Sequence, residues 1–140
     1  MANVNDFKFW EDIYLKNDTG WDLGGPTPVF IEISKQIKPG KLIILGCGRG
    51  YDAIMFAKKG FEVTAVDFSP SAVNFLNNLS NRHRVKVNII QEDMFLLNET
   101  YINHFDYLIE QTCFCAIDPK RRLEYEILTQ SILKVNGLLI

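Results

Sequence analysis

The strongest constraint in this 140-residue chain is the run Lys41-Leu42-Ile43-Ile44-Leu45, followed at once by Gly46-Cys47-Gly48-Arg49-Gly50. A short apolar run that breaks on glycines and resumes with helical periodicity, Tyr51 to Lys59, reads as a buried strand feeding a helix. The pattern then repeats. Gly60 occupies the position just past the helix, where a left-handed residue ends it. Phe61 to Val66 predicts a second strand ending at Asp67. Ser69 and Pro70 supply the N-cap and first residue of a helix running to Leu79. Val85 to Ile90 alternates as a third strand and Phe105 to Ile109 is a fourth. Pro119 to Leu133 predicts a long helix with Leu123, Ile127, Leu128 and Ile132 on its apolar face, and Gly137 to Ile140 begins a fifth strand.

Ahead of this alternation, Asp6 to Lys16 carries Phe9, Trp10, Ile13 and Tyr14 at helical spacing. Trp21 to Pro28 is a loop broken by Pro26 and Pro28, and Val29 to Ile37 is a second helix. The order places the chain in the α/β class: a Rossmann-like, doubly wound, mostly parallel sheet with helices on both faces. We read one domain, with residues 1–40 as an N-terminal helical cap and 41–140 as the α/β core. In such sheets ligands bind beyond the carboxyl ends of the strands, near the reversal in strand order. The residues that follow each strand are therefore the candidates for chemistry.

Composition excludes several classes. A net charge of −2 gives no footprint for nucleic acid, and the basic runs Arg82-His83-Arg84 and Lys120-Arg121-Arg122 read as solvated surface. No stretch reaches the roughly 20 apolar residues of a membrane span. The charged N-terminus does not resemble a secretory leader, so the expected location is the cytoplasm. Three cysteines, Cys47, Cys113 and Cys115, form neither an even disulfide set nor a metal-binding spacing. They read as structural thiols, and no metal is expected.

After the first strand, Gly46, Gly48 and Gly50 permit a tight turn and a close ligand approach, and the next helix offers unpaired N–H groups. After the second, Asp67 can accept hydrogen bonds from both hydroxyls of a ribose. Together they point to an adenosine-containing cofactor. The spacing is G-x-G-x-G, and Tyr51 stands where a dinucleotide fold has its third glycine. This disfavours a nicotinamide-dependent oxidoreductase and favours a cofactor without a pyrophosphate, S-adenosylmethionine. After the third strand, Asp93 can accept from an adenine amino group and Met94 can pack on the ring.

These motifs, in this order, resemble the class I S-adenosylmethionine-dependent methyltransferases. The finer similarity is to the thiopurine S-methyltransferase family and its thiol and halide methyltransferase branch. Ile44 stands where most class I enzymes have an acid, and the thiopurine family lacks that acid too. Gly50-Tyr51-Asp52, Trp21-Asp22-Leu23-Gly24, Thr27-Pro28 and the segment Phe105 to Pro119 with Arg122 and Tyr125 are similar to family patterns. The resemblance implies cofactor contacts at Gly46, Asp67, Asp93, Met94 and Gln111. It also implies an aromatic border at Trp10, Tyr14 and Trp21, whose ring faces suit a sulfonium. Gln111 departs from the Arg or Tyr of other members.

The implied reaction is methyl transfer by in-line displacement to a small soft acceptor such as a thiol, yielding S-adenosylhomocysteine, with catalysis resting on alignment. No general base is assigned. Family members continue past the fifth strand, so the sheet is expected to be incomplete at its C-terminal end. That leaves an unpaired edge open to homo-oligomer formation, and a catalytically weak cofactor-binding or interaction module is the alternative reading.

Overall fold

The computed structural model describes residues 3–140. Its element order is α1 (Phe7–Leu15), α2 (Pro28–Gln36), β1 (Lys41–Leu45), α3 (Tyr51–Lys58), β2 (Glu62–Asp67), α4 (Pro70–His83), β3 (Asn88–Gln91), a 3-10 helix (Met94–Glu99), β4 (Phe105–Ile109), a short 3-10 turn (Pro119–Arg121), α5 (Arg122–Ile132) and β5 (Leu133–Leu139). The five strands lie in the order β3-β2-β1-β4-β5, and every neighbouring pair is parallel. Among the described residues no helix is long and apolar enough to cross a membrane.

The two-residue period of β1 sorts the core into two layers. Leu42 and Ile44 face Phe30 of α2, Ala53 and Phe56 of α3, and Leu76 and Leu79 of α4. Ile43 and Leu45 face Leu97 of the 3-10 helix and Tyr125, Leu128 and Ile132 of α5. A strand covered on both faces reads as a continuous apolar run, which is why Lys41–Leu45 stood out. The chain crosses to the second face after β3, so the order reverses between β1 and β4. The loops after those two strands diverge to opposite faces and leave a crevice between them.

Three expectations are corrected. The inward face of α5 is Tyr125, Leu128, Thr129 and Ile132, whereas Leu123 and Ile127 are 68% and 54% exposed. Both rows are apolar at helical spacing, and only the direction of approach to the sheet separates them. Ladder pairing of β3 starts at Asn88 opposite Thr64; the preceding Val85 and Val87 pack against the core without pairing. β5 begins at Leu133, directly after α5, not at Gly137. It pairs Leu133 with Phe105, bulges, and resumes with Leu138 opposite Tyr107. In the bulge Asn136 is left-handed at φ 66°, and a Cβ on Gly137 would sit 2.9 Å from the Lys134 carbonyl oxygen.

Candidate functional site

The crevice is a cleft of about 520 Å³, walled by Trp10, Tyr14, Trp21, Gly46, Asp67, Phe68, Asp93, Met94, Phe95, Gln111, Cys113 and Arg121 among others. That volume lies within the range of small-molecule and cofactor sites, about 300–1,000 Å³. β1, β2, β3 and β4 each deliver a residue to it from just beyond their carboxyl ends.

The floor is the glycine turn, held by β2. The Cys47 N–H donates to the Val66 carbonyl at 2.9 Å. The Gly48 N–H donates to Asp67 Oδ2 at 2.8 Å, and the Ser69 N–H donates to Asp67 Oδ1 at 2.9 Å. Asp67 therefore fixes both the glycine turn and the entry to α4, while Ser69 caps that helix by accepting from the Ala72 N–H. Each carboxylate oxygen accepts more than one hydrogen bond, so both oxygens keep acceptor capacity toward the cleft. Burial pushes the Asp67 carboxyl above its ordinary range, and the backbone bonds from Ser69, Gly48 and Phe68 oppose that. Gly48 lies at φ 56°, and a Cβ there would meet the Tyr14 hydroxyl at 3.0 Å. Gly48 lines a smaller annex of about 50 Å³ rather than the main cleft.

The roof is the N-terminal segment. Trp21 meets Trp10 and Tyr14 edge-on, with ring centroids 6.1 and 5.9 Å apart. The Trp10 indole N–H donates to the Val4 carbonyl at 2.9 Å. Tyr14 is buried, and burial raises its hydroxyl pKa, with the Asp67 charge adding to the effect. The structure thus brings all three aromatic residues together over the glycine turn. α1 alone could have been core; its one buried residue is Tyr14.

The far wall comes from β3 and β4. Asp93 caps the 3-10 helix, accepting from the Phe95 N–H at 3.0 Å, and Met94 Sδ lies 3.9 Å from Cys113 Sγ. Gln111 follows β4 and lines both the cleft and the annex. Thr112 is left-handed at φ 59°, a strained state for a β-branched residue. The three thiols are free, and only Cys113 is buried. His83 is exposed on α4 and His104 meets Tyr101 and Phe105 edge-on; neither lines the cleft.

Several contacts at the site were not announced by local spacing. Glu11 accepts from the Ser69 hydroxyl at 2.6 Å, the Ser71 N–H at 2.9 Å and the Ser71 hydroxyl, tying α1 to the start of α4. Arg49 pairs with Asp22 at 2.6 Å and donates to Asn17, tying the glycine turn to the roof. Asp52 accepts the N–H and hydroxyl of Thr27 at 2.7 and 2.8 Å. Arg121, expected on the solvated surface, lies over the Phe95 ring at 3.7 Å and 3.7 Å from Asp93. Arg121 also pairs with Glu124, three residues on, at 2.7 Å; its contacts with Phe95 and Asp93 join residues far apart in sequence, so no local spacing announces them.

Glu11 supplies a pH test. Burial alone would raise its pKa, but the hydrogen bonds from Ser69 and Ser71 outweigh that and hold it below the ordinary 4.5. A carboxyl depressed in the folded state contributes stability above its unfolded pKa and loses it as pH falls through the lower folded value. Fluorescence of Trp10 and Trp21 during acid titration should report release of α1 in that window. Glu11→Gln should flatten this change and weaken docking at neutral pH; an unaltered acid profile would refute the assignment.

The sequence profile of the thiopurine S-methyltransferase family matches residues 5–140. The chain is 31% identical over 144 aligned residues to "Probable thiol methyltransferase 2" of Arabidopsis thaliana, covering 100% of this chain and 63% of that protein. It is 29% identical to "Thiocyanate methyltransferase 1" of the same plant, covering 94% of this chain and 59% of that one. The chain thus spans about three fifths of the length of these relatives. Among solved structures, 1,6-didemethyltoxoflavin-N1-methyltransferase of Burkholderia thailandensis, bound to S-adenosylhomocysteine, superposes with a TM-score of 0.80 at 20% identity, over 95% of this chain and 58% of that one. That likeness is one of fold. With a profile match across nearly the whole length, the chain belongs to the thiopurine S-methyltransferase family.

Proposed function

We propose that this chain is the cofactor-binding part of an S-adenosylmethionine-dependent methyltransferase that methylates a small soft acceptor such as a thiol. The observation that carries the reading is Asp67. The residue is 9% exposed, its carboxylate held by two backbone N–H groups, and it borders the cleft directly beside the glycine turn. An acid buried at that cost is retained where a ligand supplies further donors. The residues fit the cofactor: acceptors at Asp67 and Asp93 for ribose and adenine, and apolar packing from Phe68, Met94 and Phe95 for the base. An aromatic wall of Trp10, Tyr14 and Trp21 stands where a positive sulfonium would be favoured.

S-adenosylmethionine, when bound, supplies a methyl group on a sulfonium whose departure needs no proton. The chain's contribution is to bind, orient and exclude water. Asp67 and the glycine turn fix the nucleoside, the aromatic roof shields the reacting centre, and catalysis follows from alignment of acceptor, methyl and sulfur.

Calorimetric titration with S-adenosylmethionine, S-adenosylhomocysteine and NAD tests the cofactor. Saturable binding of both sulfur compounds and none of NAD is expected. A folded sample that binds neither sulfur compound refutes the proposal. Turnover across a panel of thiols and halides then tests the acceptor, with methylated product expected from the soft nucleophiles.

A further inference from the structure

Arg49 stands between Gly48 and Gly50, both left-handed, at φ 56° and 82°. Its side chain leaves the floor of the cleft and crosses to the roof. Nη1 donates to Asp22 Oδ2 at 2.6 Å and Nη2 to Asn17 Oδ1 at 3.0 Å. The guanidinium carbon lies 5.3 Å from the Phe75 ring of α4 and 6.0 Å from the Tyr14 ring of α1, within reach of a cation–π attraction. One cation thus joins the glycine turn, the end of α1, the loop after it and α4.

The roof loop is built around that contact. Asn17 turns the chain out of α1 in the left-handed region, at φ 54°. Asp22 Oδ1 accepts the Gly24 N–H at 2.7 Å, and the Asp22 N–H donates to the Thr19 carbonyl at 3.0 Å. Both oxygens of Asp22 are therefore engaged, one within the loop and one on Arg49. Between Asn17 and Asp22 lie Gly20 and Trp21, which border the cleft. The Arg49 and Asp22 side chains are only 22% and 9% exposed, so solvent and salt weaken the pair less than one at the surface. Arg49 is not part of the cleft's lining. It acts on the cleft through the loop it holds.

We propose that Arg49 is a latch: paired with Asp22, it keeps the loop bearing Trp21 closed over the cleft, and release of the pair sets how fast a ligand enters and leaves. A latch lies on the path both in and out, and it is made alike in the empty and the occupied chain. Its removal therefore speeds entry and exit together and leaves affinity nearly unchanged, whereas loss of a ligand contact acts mainly on exit. Only the identity of the ligand rests on the function proposed above.

Two variants test the latch. Arg49→Met keeps most of the stem and removes the charge; Asp22→Asn keeps an acceptor for the Gly24 N–H. In the free chain, hydrogen exchange at the Asn17, Asp22 and Gly24 amides should rise roughly tenfold, the worth of one charge-assisted hydrogen bond, with β1 amides unchanged. Unaltered exchange at the three loop amides overturns the latch. The double variant should exchange no faster than Arg49→Met; additive effects refute the pairing with Asp22. Should Arg49→Met unfold the chain, seen as fast exchange in β1, Asp22→Asn carries the same comparison. Stopped-flow tryptophan fluorescence with S-adenosylhomocysteine should then show association and dissociation accelerated by a similar factor. A rise in dissociation alone makes Arg49 a ligand contact and refutes the latch, as do unchanged rates. If the loop amides respond as expected but S-adenosylhomocysteine does not bind the wild-type chain, the latch stands and the proposed function falls.

Discussion

Replacing Gly50 with alanine will destabilise the fold by about 2–5 kcal/mol, from left-handed strain plus overpacking. Gly50 lies at φ 82°, and a Cβ there would stand 2.2 Å from Leu76 Cδ1. Leu76 is fully buried between α3, α4 and the sheet, so it cannot swing aside without disturbing the first core layer. The expected loss is a large fraction of the about 5–15 kcal/mol that holds a typical domain together. Gly60 provides the control. It is also left-handed, at φ 88°, but nothing lies within 4 Å of its Cβ direction. Gly60→Ala should therefore cost only the backbone strain, about 1–2 kcal/mol. Urea unfolding measures both, with midpoints shifted and slopes unchanged. If Gly50→Ala unfolds no earlier than Gly60→Ala, the close approach of the turn to Leu76 is not what requires glycine.

Asp67→Ala will remove ligand binding and loosen the turn at once. In the free chain it leaves the N–H groups of Gly48 and Ser69 without their acceptor, at about 1–3 kcal/mol for each that stays buried. On the function proposed above, it also removes an acceptor for two ribose hydroxyls. The combined loss in S-adenosylhomocysteine affinity should be roughly a hundredfold to ten-thousandfold. Asp67→Asn keeps the shape but turns an amide donor toward one of two backbone donors, so it should fall between alanine and wild type in stability. Calorimetry and thermal melting on the same samples separate the two effects. A folded Asp67→Ala chain that binds S-adenosylhomocysteine as tightly as wild type would remove Asp67 from the ligand's ribose.

The parts of the fold that were readable share a physical cause. β1 and β4 are buried on both faces, so their apolar runs end where the burial ends, and their limits matched the expectation residue for residue. Ser69 and Pro70 fixed the start of α4 because capping is a local hydrogen bond. α5 was misread because Leu123 and Ile127 are as apolar as Leu128 and Ile132; periodicity reports a face but not which face meets the sheet. β3 was placed early because Val85 and Val87 alternate and pack while only Asn88–Gln91 pair. At the site, residues that follow strands were legible, since topology alone directs them to the crevice. Glu11 and Arg49 were not, because each acts on partners brought near only by tertiary folding, and the same holds for the contacts of Arg121 with Phe95 and Asp93. β5 is an outer strand of the sheet, and its Leu138 and Leu139 are half exposed.

The roof and the floor of the cleft are anchored by different forces. The floor hangs from β1, whose residues Leu42, Ile43 and Leu45 have no exposed surface. The roof is fastened chiefly by polar clamps, Glu11 to Ser69 and Ser71, Arg49 to Asp22, and Asp52 to Thr27, with Tyr14 the one buried side chain of α1. Water can replace such bonds at little net cost. The free energy needed to lift the roof is thus a small part of the global unfolding free energy, and amides of α1 would exchange with solvent through sub-global opening while those of β1 exchange only on complete unfolding. A nucleoside ligand could then enter and leave through a breathing motion of the N-terminal segment, with the sheet beneath it undisturbed.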